Sequence, residues 1–339
     1  MQSKSEVLVE VTRGPIPESR HHGSLAVVDK TGKLIASAGD PYAITYMRSA
    51  AKPLQALEVV LSGAADRYAF TDQELAIMCG SHYGETFHRA TIFGILNKIG
   101  FSLSELTCGS PYSIRGAVRD QQLRDGIVPD QANSDCSGKH CGFLAVCKTM
   151  KWPTAQYADP EHPLQKEIYK LLSEMCGIAQ ADIVLGTDGC GVPVHAMPLY
   201  HMALGYARLA NPETLPEARR RACNRIFAAM NAAPQMVGGT GSFCSEFIRH
   251  THGRLIGKLG AEAVYCVGIR GGISMAVKIE DGTVDRALYP VVLEALMQLD
   301  AISQQEARSL WKFYHPDILN HAGKVVGHSA ACFTLTRRR

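Results

Sequence analysis

Four stretches of this 339-residue sequence place reactive side chains at spacings that chemistry can use. In Arg48-Ser49-Ala50-Ala51-Lys52-Pro53 the serine and the lysine are three positions apart. At a helix start that spacing puts both on one face, about one turn apart. A neutral lysine amine can take the hydroxyl proton as serine attacks a carbonyl, and the free N–H groups of a helix start suit the oxyanion that forms. The bare pattern is also that of a cap followed by a surface lysine. In Met78-Cys79-Gly80-Ser81-His82-Tyr83-Gly84-Glu85 a helix ends at glycine, and Ser81 follows where a second hydroxyl can enter a cleft. An ordinary helix-ending turn has the same composition. In Gly257-Lys258-Leu259-Gly260 a lysine stands between glycines, in a segment read as a loop. It becomes a candidate base where another site lacks one.

The remaining stretch is Asp135-Cys136-Ser137-Gly138-Lys139-His140-Cys141, joined by Thr187-Asp188-Gly189-Cys190-Gly191. Cys136 and Cys190 fall in loops or helix starts. Two thiolates brought together by folding suit zinc, with His140 and Asp188 as further ligands or outer partners. The spacing matches no zinc finger or ribbon, and the deaminase pattern H-x-E…P-C-x-x-C is absent. Spacing alone favours two unrelated thiols, and a metal-free redox pair is a third reading. The 13 histidines include no helical metalloprotease pair.

Elements must position these groups. VLVEVTR (7–13), GSLAVVD (23–29) and KLIASAG (33–39) read as strands, with a Lys30-Thr31-Gly32 turn. From Ser49 the pattern is mainly helical. Thr71-Asp72-Gln73-Glu74 is a capping box, and TFHRATIFGILNKIG stops at Gly100. SDCSGKHCGFLAVCKTM, PLQKEIYKLLSEMC, VPVHAMPLYHMALGYARLA and ETLPEARRRACNRIFAAMNAAP are predicted helices, and IVLGTDG a short buried strand. EAVYCVGI and ISMAVKIE read as strands flanking an Arg270-Gly271-Gly272 hairpin turn. RALYPVVLEALMQLD and SQQEARSLWKFY read as helices, the latter with a Ser303/Glu306 capping box. The expected domain is therefore a single α+β unit over 1–339. Strands near 7–40 and 261–280 form one sheet from both chain ends, and a mainly helical subdomain over about 49–252 is inserted between them. No GxGxxG follows the first strand, and no GxxxxGK[ST] loop occurs.

Composition narrows the class. Hydrophobic residues make up 46% and charged residues 20%, with 31 Gly and 16 Pro, which excludes wholesale disorder and fibrous repeats. A net charge of +3 gives no field for a dedicated nucleic-acid binder. No apolar run suits a bilayer span, and MQSKSEVLVEV has no apolar signal core. Eleven cysteines, several in helix-like segments, read as free thiols in a reducing compartment, so a cytoplasmic location is expected. Arg337 to Arg339 read as a solvated basic tail.

In order along the chain, VEVTRG…ESRHHG, MRSAAKPLQ, CGSHYGE, NSDCSGKHCGFL, GTDGCGVPVHAMPL, MVGG and GKLGAEAV resemble the rhizobial-type L-asparaginases, the asparaginase II family. The likeness runs from about residue 7 to about residue 282, with less to match in the final 50 residues. It implies a fold like the serine β-lactamases and penicillin-binding proteins, and hydrolysis of L-asparagine to L-aspartate and ammonia. It pairs Ser49 with Lys52 and Ser81 with Lys258, and it implies a zinc held by Cys136, Lys139 and Cys190. Lys139 is named by the resemblance alone, because a lysine amine keeps its proton in water up to ~10.4. A homodimer is the expected assembly.

Two stretches depart from the family pattern: Ala263 stands where glycine is usual, and TGSFCSEFIRHTHG follows MVGG where an arginine is expected soon after the glycines. No substrate contact is assigned in the second. Arg48 is matched to a substrate α-carboxylate and Asp188 to an α-ammonium on charge. Lys52 is expected to lose its proton readily through burial and the charges of Arg48 and Lys258. A penicillin-recognising acyl-enzyme and a non-catalytic zinc protein are the competing functions. The first lacks S-D-N and K-T-G motifs.

Overall fold

The computed structural model describes residues 5–338, so Arg339 and the first four residues of the N-terminal segment lie outside the described residues. The chain divides into two compact units. One comprises Met1–Ala50, Ala196–Asn211 and Glu246–Arg339, and the other Ala51–His195 and Pro212–Ser245.

The first unit is built on an antiparallel nine-stranded sheet. Its main path runs Asp317–Leu319, Val325–Ala331, Glu6–Arg13, Ile16–Val28, Ser274–Ile279, Val264–Ile269, Leu255–Gly260. The long strand Ile16–Val28 changes partners along its length. Its first half pairs with Glu6–Arg13, and its second half lies between Leu34–Ala38 and Ser274–Ile279. Leu8, Val9 and Val11 of EVLVEVTR are buried, Val9 and Val11 on one face, with the alternation interrupted by a register shift between Val7 and Val9. All of Val264–Ile269 is buried, as its unbroken apolar run requires. The helix Leu199–Ala210 packs on the strands Ile16–Val28, Val264–Ile269 and Ser274–Ile279. Strands from both chain ends with helices inserted between them give the α+β order expected of the serine β-lactamase-like class.

The second unit is mainly helical. Its centre is the helix Ser137–Met150, buried on every side from Ser137 to Cys147. Around it pack Leu57–Leu61, Asp72–Met78, Thr86–Ile99 and Pro163–Cys176. The Thr71/Glu74 capping box forms, and Gly100 closes its helix in the left-handed conformation.

Several expectations need correction. Lys258 lies in the strand Leu255–Gly260, fully buried, and not in a loop. Pro193–Pro198 is a strand, and the helix begins only at Leu199, because proline at each end and β-branched Val194 disfavour an earlier start. That helix belongs to the sheet unit instead of the helical insert. Val184–Thr187 is a strand but an exposed one. The strands Asp317–Leu319 and Val325–Ala331 are additions. Of the basic tail, Arg337 and Arg338 are exposed, and Arg339 lies outside the described residues, but the backbone of the tail is paired. Thr336 and Arg337 pair with Ser37 and Ala36, and the Arg338 amide donates to Ile35 O at 2.7 Å. All eleven cysteines are free thiols. No helix among the described residues is long and apolar enough to cross a membrane.

Candidate active site

In the sheet unit, Ser49 lies in the 3-10 turn Arg48–Ala51. Arg48 enters it with φ +50, a left-handed conformation that costs a non-glycine residue about 1–3 kcal/mol. The turn is held from both sides. Tyr206 Oη donates to Ala50 O at 2.7 Å. Gly260 comes so close that a Cβ there would stand 2.5 Å from Met47 O and 3.3 Å from Ala50 N. Gly260 ends the strand that carries Lys258, so the glycine of GKLG lets that strand close on the serine turn. Lys258 Nζ donates to Leu259 O at 2.6 Å.

In the helical unit, Lys52 begins the short helix Lys52–Gln55, with Pro53 in its first turn and 1% of its surface exposed. Its Nζ donates to Ser81 Oγ at 3.0 Å, to Asp135 O at 3.1 Å and to Asp135 Oδ2 at 3.3 Å. Burial opposes the charge on this amine, but Cys136 and Asp135 outweigh burial and Lys139, and hold it above the usual lysine value. That reverses the expectation that Lys52 loses its proton readily. The expected lowering by neighbouring cations is offset by a carboxylate and two sulfurs.

Ser81 follows the helix Asp72–Met78 at a close crossing, with its amide donating to Val237 O at 2.9 Å. Next to it, His82 accepts from Gly84 N on Nδ1 at 3.1 Å and donates from Nε2 to Ser137 Oγ at 2.8 Å. Burial, with His88 stacked beside it, pushes His82 well below the usual histidine value, so the ring is neutral. The other side of the site is the start of Ser137–Met150. Gly138 is required there, since a Cβ would stand 2.3 Å from Ile77 O.

The sulfurs of Cys136 and Cys190 and a carboxylate oxygen of Asp188 lie within 4.8 Å of one another. Lys139 Nζ reaches Cys190 Sγ at 3.0 Å. The two thiols share one proton. Cys136 donates to Cys190, which pulls the Cys190 thiol far down while the Cys136 thiol is held far up. Burial works against the charge of Lys139, yet Cys136 and Cys190 hold it above the usual lysine range. His140 accepts on Nδ1 from Tyr157 Oη at 2.7 Å, while its buried Nε2 has no hydrogen-bond partner. Two sulfurs, a carboxylate and an amine at this spacing fit zinc once Lys139 gives up its proton.

The helical unit therefore brings Lys52 to Ser81, and Cys136 to Lys139, Asp188 and Cys190. Ser49, Arg48 and Lys258 stand in the sheet unit. Asp135 was not singled out from the sequence, though it directly precedes Cys136; an acid beside a candidate thiol is a weak signal. His82 was likewise read as part of a turn.

The L-asparaginase II family model matches residues 9–331. None of the curated proteins matches this chain. Among solved structures, the chain is similar to Mglu in its native form in 4.3 M NaCl, at 13% identity and a TM-score of 0.44, covering 83% of this chain. It spans 61% of the Mglu chain, less than two thirds of its length. It is also similar to simvastatin synthase (LovD) from Aspergillus terreus, with 14% identity, 76% of this chain, 86% of the other and a TM-score of 0.38. A probable glutaminase matches at 13% identity over 78% of this chain and 82% of the other, with a TM-score of 0.33. With nearly its whole length matched by the family model, the chain belongs to the L-asparaginase II family.

Proposed function

We propose that the protein hydrolyses L-asparagine to L-aspartate and ammonia through a serine acyl-enzyme. The observation that carries this is a buried lysine amine, Lys52, three positions after Ser49 and 3.0 Å from a second serine hydroxyl, Ser81 Oγ, an arrangement that serves hydrolysis of an amide through either serine. Ser49 Oγ attacks the side-chain amide carbon, and Lys52 Nζ takes its proton in the fraction of the protein in which that amine has first released its own to solvent. The C–N bond then breaks, and the same amine returns a proton to the leaving ammonia. Water hydrolyses the β-aspartyl ester, with Ser81 passing protons to and from Lys52. Arg48 holds the α-carboxylate and Asp188 the α-ammonium. Cys136, Lys139 and Cys190 would hold a zinc ion, which would supply positive charge to order the substrate and offset the thiolates.

A second reading makes Ser81 the nucleophile, and the Lys52–Ser81 hydrogen bond favours it. Lys258 would then serve as its base. Ammonia release from asparagine and glutamine, beside ring-opening of a β-lactam followed by absorbance, tests the function. Release from asparagine is expected, and hydrolysis of the β-lactam alone, or of nothing, overturns it. Ser49→Ala against Ser81→Ala separates the two nucleophiles. A second copy of the chain, as a homodimer, belongs to the same proposal and is tested by light scattering.

A further inference from the structure

Arg89 lies on the helix Thr86–Ile99, directly after the loop that carries Ser81. Its guanidinium makes a fork with Asp130, NH1 to Oδ1 at 2.6 Å and NH2 to Oδ2 at 2.8 Å. NH1 also donates to Asn133 Oδ1. Asp130 precedes and Asn133 ends the 3-10 turn Gln131–Asn133, which Asp130 caps by accepting from Ala132 N at 3.0 Å. Each following turn hangs on the one before it. Asn133 N donates to Asp130 O at 3.0 Å, Ser137 N to Ser134 O at 3.0 Å, and Cys136 N to Ser134 Oγ at 3.4 Å. Between them stands Asp135, whose backbone and side chain both hold Lys52 Nζ.

The same turn touches the Ser81 loop. A Cβ on Gly84 would stand 3.3 Å from Asn133 O. Asn133 is 1% exposed, and its Nδ2 has no partner, so Arg89 is the side chain that fixes how its amide faces. Arg89 thus grips, from the root of one loop, the root of the other. A planar fork does this where a lysine cannot, because two parallel bonds to one carboxylate and a third to an amide fix direction as well as distance.

We infer that Arg89 is a positioning residue: its fork fixes the loop from Asp130 to Ser137 against the Ser81 loop, and so sets both Asp135 and Ser81 on Lys52. It does not touch the reacting atoms. The inference rests on the proposed role of Lys52 and Ser81 for its kinetic consequence, but the clamp itself is measurable without substrate.

The experiment compares wild type, Arg89→Ala and Arg89→Lys by hydrogen exchange, thermal melting and asparagine kinetics. In Arg89→Ala the amides of Asn133, Cys136 and Ser137 are expected to exchange ~10-fold faster or more, with a melting temperature within a few degrees of wild type. On asparagine, kcat falls ~10–100-fold and KM stays within ~3-fold, the pattern of misplaced catalytic groups. Ethylguanidinium added to Arg89→Ala restores part of the kcat, and Arg89→Lys recovers little. Should Arg89→Ala not fold, Asp130→Asn opens the same fork and is read in the same way. Wild-type exchange at those amides, or faster exchange with wild-type kcat, overturns the inference. A wild type inactive on asparagine removes the proposed function, while the exchange arm still decides the clamp.

Discussion

The helix Ser137–Met150 and the residue that precedes it carry two kinds of thiol. At the helix start, Cys136 faces Cys190, Lys139 and Asp135, and the shared proton leaves the Cys190 thiol far below its usual value. Further along, Cys141 and Cys147 are just as buried, but there burial is the largest influence, and it pushes Cys147 up to about 12. Cys141 moves in the same direction for the same cause. Depth is common to both regions and charge is not. Burial penalises an ion, and chemistry arises where neighbours overcome that penalty. Lys52 follows the rule of the helix start, and Glu58 follows that of the apolar body. Burial, and Glu167 nearby, raise the Glu58 carboxyl to about 7.

The largest expected break in this comparison is at Lys52. Lys52→Arg keeps the charge but cannot release its proton, and kcat/KM on asparagine should fall at least ~10³-fold, about 4 kcal/mol. Ser49→Ala should do the same with the fold intact. Activity within a few-fold of wild type in either would move the chemistry away from the charged end.

Glu58 tests the apolar side. The native state holds its proton up to about 7, whereas the unfolded chain loses it near 4.5. The unfolded state binds fewer protons across that window, so stability should fall from pH 4.5 to 7 and stay lower above. The 2.5-unit difference corresponds to about 3 kcal/mol. Glu58→Gln should flatten the decline in urea melts taken from pH 4 to 8. An equally steep decline in the variant would exclude Glu58 as its source.

The thiols themselves come next. Cys136→Ser or Cys190→Ser should lower zinc content and raise KM ~10-fold, more than kcat changes, while Cys147→Ser should lose stability alone, ~1–3 kcal/mol. Zinc analysis and kinetics on the three proteins check this. Full activity in metal-free wild type would end the zinc proposal.

A smaller shift is expected from Asp135→Asn. Lys52 as base makes log(kcat/KM) rise with unit slope until the amine is neutral. Asp135 raises Lys52, so its removal should move that limb toward lower pH. An unmoved limb would show that another group titrates.

The smallest effect lies in the sheet unit. Glu262 and Ala263 turn the hairpin with φ +59 and +54, which explains the glycine usual at 263. Ala263→Gly should stabilise the protein by ~1 kcal/mol, seen as a higher melting temperature.

Local patterns were legible before the fold. The Thr71 and Ser303 capping boxes, the Gly100 stop and the Arg270-Gly271-Gly272 hairpin all depend on residues within four positions of one another. Pro193–Pro198 and Leu255–Gly260 were not legible, because their strand state comes from partners far along the chain: Ala196–Pro198 pair with Ile44–Tyr46, and Leu255–Gly260 with Val264–Ile269. A lysine between glycines looks solvated until a strand on one side and a packed turn at its end enclose it.

By itself the sequence determined which residues carry reactive groups, where helices begin and stop, and, through motifs kept in order, the family. Those properties are local, or are written in residue types. Tertiary structure alone decided that Lys52 meets Ser81 and Asp135 across 29 and 83 positions, and that Lys139 meets Cys190 across 51. It also decided the charge states. A proton affinity depends on what surrounds a group within a few ångströms, and those neighbours arrive from distant segments only when the chain folds.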